Sequence, residues 1–105
     1  MTQEEFYQVL KSTGLPVIHE EAQSYPTLPY IVYLFNSSNE SYADNINYFS
    51  SDVFQVELYT KHRDKATELI LENKLREASL TWSFKNGTRI SEEKLFQVVY
   101  LIRAI

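Results

Sequence analysis

A chain of 105 residues and 12.4 kDa has room for one domain and one core, and a domain of this size buries roughly 65% of its unfolded surface, enough to fold without a covalent staple. It contains no cysteine, which excludes disulfide scaffolds, thiolate metal centres and cysteine nucleophiles and leaves nothing that requires an oxidising compartment. Its net charge of −4 argues against a sequence-independent nucleic-acid binder, whose affinity comes from neutralising phosphates.

The N-terminal segment MTQEEFYQVLK is acidic and amphipathic where a signal peptide would be basic and then continuously apolar. No stretch approaches ~18 uninterrupted apolar residues, so the expectation is a soluble, unprocessed protein. Thr2 and Glu5 form a capping box, and Phe6, Val9 and Leu10 follow at helical spacing until Gly14 and Pro16 stop the helix. From Leu15 to Pro29 three prolines punctuate a polar stretch, which predicts an extended arm or a short strand at Val17 to Ala22. Tyr30 to Phe35 is aromatic and β-branched on both faces, the pattern of a central strand.

Residues 36–52 are rich in Asn, Ser and Asp yet keep Tyr42, Ile46, Tyr48 and Phe49, more apolar surface than a disordered loop retains. Phe54, Val56 and Leu58 alternate with Gln55, Glu57 and Tyr59, predicting a half-buried strand over 53–60 that pairs antiparallel with the strand before it as a long hairpin. Residues 62–78 lack Gly and Pro and are rich in helix formers, with Glu72 placed to pair with Arg76. On that helix Ala66, Leu69 and Ile70 lie on one side and Leu71, Leu75 and Ala78 roughly opposite. Either one face meets another subunit, or the helix is clamped between the sheet and the N-terminal helix.

Leu80 to Lys85 alternates as a strand, and Asn86-Gly87 predicts a two-residue hairpin turn into another strand. Leu95 to Ile105 suits helix or strand by spacing, and its content of Val98, Val99, Tyr100 and Ile102 selects strand. The order α, β, β, β, α, β, β describes an α+β domain, an antiparallel sheet packed with a short N-terminal helix and one longer helix, with a long hairpin protruding.

Catalytic and cofactor signatures are missing. Gly14 and Gly87 stand too far apart to build a phosphate-binding loop. His19 beside Glu20 and Glu21, and His62 near Asp64, lack the ligand spacing of a zinc centre and read as surface histidines. The adjacent carboxylates Glu4-Glu5, Glu20-Glu21 and Glu92-Glu93 read as helix starts or solvated faces. Asn36-Ser-Ser, Asn39-Glu-Ser and Asn86-Gly-Thr match the glycosylation pattern and, without a secretion signal, read as turn-forming polar residues. The expectation is a non-enzyme with no cofactor and no metal.

Charge is unevenly spread. Residues 1–60 hold eight acids against Lys11 alone, a net −7, whereas residues 61–105 hold nine Lys or Arg against six acids, a net +3. Such a chain is either a dipolar monomer or one that presents opposite surfaces to its own copies, as a head-to-tail ring requires. Aromatic residues make 14% of the sequence, and Tyr25, Tyr30, Tyr33, Tyr42 and Tyr48 lie in the acidic half, which favours protein partners over single-stranded nucleic acid.

The succession LPYIVYLF, SYADNINYF, FQVELYTKHRD, ATELILENKLREA and SEEKLFQVVYLI resembles the small tail terminator, or tail-completion, proteins of siphophages of Gram-positive bacteria, from about Leu15 to Tyr100. The resemblance implies an α+β domain that assembles as a hexameric ring in the virion neck, built in the host cytoplasm. Such a ring caps the tail tube, stops its polymerisation and offers a surface for head-tail joining. The implied partners are further copies of itself, the major tail tube protein and a head connector or stopper, with DNA only passing through the channel and no membrane. An overall acidic ring would let the genome slide without sticking. In this setting Tyr42, Asp44, Asn45, Tyr48 and Phe49 are expected at a hairpin tip that orders against tube or neighbour. Arg63, Lys65, Lys74 and Arg76 are the basic candidates for meeting the acidic half of the next subunit, with Glu20 and Glu21 among the acids. Another neck or head-completion connector, or a small protein-binding domain unrelated to phages, remains open as an alternative.

Overall fold

The alternation of Phe54, Val56 and Leu58 with polar neighbours gives one strand a wholly apolar face, and the other elements are arranged on that face. The computed structural model describes residues 2–20, 24–36 and 52–104. In chain order its elements are α1 (Gln3–Lys11), β1 (Val17–His19), β2 (Tyr30–Asn36), β3 (Asp52–Thr60), α2 (Lys65–Glu77), β4 (Trp82–Ile90) and β5 (Leu95–Ala104). The strands form a five-stranded sheet in the order β1-β2-β3-β5-β4. The α+β class and the order of elements follow the sequence reading.

The expectation of a wholly antiparallel sheet needs correction, because β1 runs parallel to β2 with Val17 opposite Ile31 and His19 opposite Tyr33. Two strands running in the same direction need a connection longer than a tight hairpin between them, which the separation of β1 from β2 in the sequence supplies. The remaining neighbours are antiparallel, with Tyr33 opposite Val56 and Val56 opposite Tyr100 across the centre. The stem of the predicted long hairpin is thus present as β2 and β3, and its tip lies outside the described residues.

Phe54, Val56 and Leu58 of β3, and Tyr100 and Ile102 of β5, are fully buried under Phe6 and Leu10 of α1 and Leu71 and Leu75 of α2. The Phe6 ring stacks on Phe54 with centroids 4.0 Å apart. Burying each such side chain contributes about 1.5–3 kcal/mol. Both helices therefore cover one face of the sheet.

The helix ends are built as local chemistry dictates. Glu5 N–H donates to Thr2 Oγ1 at 3.1 Å and Thr2 N–H donates to Glu5 Oε1 at 2.8 Å, the predicted capping box. Asp64 caps α2 by accepting from Thr67 N–H at 3.1 Å and from its hydroxyl at 2.8 Å, so the helix starts at Lys65 and not at His62. At its other end Ser79 takes φ 62°, Ser79 N–H donates to Arg76 O at 2.9 Å and Leu80 N–H to Leu75 O at 2.8 Å, closing the helix without a glycine.

The predicted turn at Asn86-Gly87 is also corrected. Both residues lie inside β4, opposite Val99 and Val98, and the chain reverses at residues 91–94 with Lys94 at φ 56°. Gly87 has a packing role: a Cβ there would stand 2.9 Å from the ring of Phe96 and 3.4 Å from the Arg63 guanidinium. Long β5, chosen correctly as a strand, pairs along β4 from Leu95 to Ile102, with an irregularity between Trp82 and Phe84.

Candidate functional site

Two clusters of charge form on opposite sides of the sheet. The first is on the face that bears no helix among the described residues. Tyr30 and Tyr59 are register partners, and their rings stack at 5.1 Å, with Tyr25 stacked on Tyr30 at 5.5 Å. Beside them Glu57 accepts from the Tyr59 hydroxyl at 2.8 Å and from Gln55 Nε2–H at 2.7 Å, while Gln97 Nε2–H donates to the Tyr59 oxygen at 2.8 Å. Burial pushes the Tyr59 hydroxyl well above the ordinary tyrosine range, and the Glu57 carboxylate adds to the effect. Tyr30 is raised too, by burial first and then by Tyr25, Glu93 and Glu57. The proton therefore stays on both phenols at neutral pH.

With Glu20 and Glu93 these residues enclose a notch of about 230 Å³. Three carboxylates and the negative faces of aromatic rings attract the same kind of group, an ammonium or guanidinium. The arrangement can hold a cation.

The second cluster lies under α2, on the other face. Glu68 and Glu72, only 3% and 8% exposed, meet Lys85 of β4, whose Nζ stands 3.1 Å from Glu68 Oε1 and 2.5 Å from Glu72 Oε2. Tyr100 donates its hydroxyl proton to Glu72 Oε2 at 2.8 Å, and Arg63 Nε lies 3.0 Å from Glu68 Oε2. Burial works to raise Glu72, but the bonds from Lys85 and Tyr100 outweigh it and hold the carboxyl below its ordinary value. Burial likewise presses Lys85 downward, and Glu72 and Glu68 more than reverse this. Tyr100 is driven far above the ordinary tyrosine range, by burial and then by Glu72. The guanidinium of Arg63 stands 5.3 Å from the Phe96 ring centre and that of Arg76 5.2 Å from Trp82. This network ties α2 to β4 and β5 and is structural.

The candidate residues from the sequence are distributed unevenly between these clusters. Tyr42, Asp44, Asn45, Tyr48, Phe49 and Glu21 lie outside the described residues. Glu20, at φ 68°, borders the notch, with its Oε2 3.6 Å from His19 Nε2. Of the four basic candidates, Arg63 faces Glu68, Arg76 stands 3.8 Å from Glu72 and Lys74 3.5 Å from Glu77. Lys65 is exposed and has no acid partner among the described residues.

The sequence reading missed the buried pair Glu68 and Glu72, although their i, i+4 spacing on the side of Leu71 and Leu75 was visible. It missed the notch as well, since its residues come from the connection after β1, from β2 and β3, and from the turn after β4. Of the two faces read on α2, Leu71 and Leu75 are buried while Leu69 and Ile70 remain 51% and 45% exposed, so the helix is not clamped on both sides by described residues. Among the described residues no group of three or more potential metal ligands occurs, and no helix is long and apolar enough to cross a membrane.

Comparison with protein-family models and with curated protein sequences gives no match. Similarity is found in structure. A chain of the virion of a native gene transfer agent particle superposes with a TM-score of 0.60 at 15% identity, over 93% of this chain and 88% of that one. The chain therefore shares its fold with a component of a virion.

Proposed function

We propose that this chain is a structural protein of a phage-like virion and, within that class, a tail-completion protein that closes as a ring on the end of the tail tube. The observation that carries the reading is the likeness in fold to a virion component over nearly the whole of both chains. The character of its surfaces supports it: a cation-attracting notch and a helix with exposed Leu69 and Ile70. As such a protein it works by binding. A hexameric ring would end tube growth and present a platform to the head connector, in the virion neck, after assembly in the host cytoplasm. DNA would pass through without being held.

The test mixes purified protein with tubes of the tail protein encoded beside its gene and images the ends by negative-stain electron microscopy. A ring on one end, with tube growth arrested, is the expected result. Bare ends that keep growing would overturn the tail role. Protein bound to purified connectors in their place would move it to the head side of the neck.

A further inference from the structure

Strand order nearly preserves chain order, so the strands of the two halves lie on different sides of the sheet, with Glu93 reaching the notch from the turn between β4 and β5. Strands β1, β2 and β3 come from the acidic part and lie to one side, and β5 and β4 come from the basic part and lie to the other. Each side holds charges that its own chain leaves unpaired. In the notch, Glu57 is held by Gln55 and Tyr59, both neutral donors, and neither it nor Glu93 has a cation partner among the described residues. On the β4 side, Arg63 and Lys85 are engaged with Glu68 and Glu72, but exposed Arg89 and Lys65 meet no acid among the described residues. β4 is also one of the two outermost strands of the sheet, nine residues without proline, and an edge of that kind is normally covered or charged.

We propose that copies of this chain meet head to tail, the basic β4 edge with Arg89 of one copy seating on the tyrosine-walled acidic notch of the next. A second copy is the occupant because both complementary surfaces belong to this one chain and lie apart on it. Each contact leaves one surface of each kind open, and repetition either closes a ring or extends a filament. A guanidinium entering the notch would meet Glu20 and Glu57 and the exposed ring of Tyr25, gaining ion pairing and cation–π attraction together. The inference rests on the ring reading above and names the two surfaces that would form the ring.

The absence of cysteine makes the test clean, because an introduced pair supplies the only thiols. The double variant Glu20→Cys with Arg89→Cys, treated with a short bismaleimide, is expected to give a ladder of covalent multimers. An equimolar mixture of the two single variants should stop at dimers, and each single variant alone should stay monomeric. Dimers from Arg89→Cys alone would overturn the head-to-tail contact. In parallel, Arg89→Glu should weaken self-association about tenfold, and Glu20→Arg added to it should restore association. Circular dichroism confirms that each variant is folded. Both measurements are made on free protein and on protein bound at tube ends. Rings at tube ends with no cross-link would overturn this interface and leave the tail-completion reading standing. A cross-linked ladder from protein that ignores tubes would support the interface and overturn the tail role. Failure of both removes both.

Discussion

Two positions illustrate how much a single backbone or steric demand decides. Ser79 holds the left-handed conformation that ends α2, at φ 62°, where a side chain costs about 1 kcal/mol and glycine costs little. The bond from Leu80 N–H to Leu75 O, at 2.8 Å, keeps it there. Ser79→Gly is therefore expected to stabilise the fold by roughly 0.5–1 kcal/mol, after allowing for the freer unfolded chain. In thermal unfolding this is a rise of about 2–6 °C, and an unchanged or lowered midpoint would contradict the strain argument. Gly87 is the opposite case, a glycine that serves clearance. Gly87→Ala should cost about 1–2 kcal/mol by pressing on Phe96 and disturbing the Arg63 stack. Combining it with Phe96→Leu should cost less than the sum of the two single changes, which a double-mutant cycle in urea would read. If Gly87 served only as a turn residue, the two changes would add. The sequence made Asn86-Gly87 resemble a turn because turn chemistry is local, whereas the ring that needs the space comes nine positions later.

At the level of elements, α2 is held to the sheet by apolar contacts on one flank and by charge on the other. Lys85 satisfies Glu68 and Glu72 at once, so Lys85→Met would leave two buried carboxylates with their main cation removed. Breaking a buried pair typically costs 3–5 kcal/mol, and with the Lys85 side chain 31% exposed the expected loss is about 2–3 kcal/mol, measured by urea unfolding. Acidity should act through the same bond. Because the folded state holds Glu72 below its ordinary value, its contribution is fully present above the unfolded carboxyl pKa near 4.5 and is lost as pH falls through the lower folded value. Glu72→Gln should flatten that part of the stability profile between neutral and acid pH. An acid limb of unchanged steepness would assign it to other carboxylates. The capping box, the β2 and β3 patterns and the strand choice for β5 were legible because each is written within a few neighbouring residues. The Glu68, Glu72 and Lys85 triad was not, since two glutamates one turn apart look like a solvated face until a strand places an ammonium over them. The parallel entry of β1 was hidden for a related reason, as pairing direction depends on the path of the chain between strands.

For the whole molecule, the −7 and +3 halves of the sequence could be counted before any fold was known. The lateral order of the strands could not, because β5 inserts between β3 and β4 and so places β4 at an edge of the sheet. The same charges then act in two settings that respond differently to salt. Glu72 is buried against α2's own flank and Lys85 is only partly exposed, whereas Arg89 is exposed and Glu20 lies at the rim of an open notch. Screening shortens the reach of exposed charges from about 10 Å at 0.1 M salt to about 3 Å at 1 M. Raising salt across that range is therefore expected to weaken self-association several-fold while moving the thermal midpoint of the folded chain much less, as followed by sedimentation velocity and by thermal unfolding on the same samples. Association that ignores salt would shift the contact from the notch to the apolar surface at Leu69, Ile70 or Phe84, which are 51%, 45% and 48% exposed. A midpoint that falls as steeply as association would instead mean that the charges under α2 are reached by solvent and that the network is weaker than its burial implies.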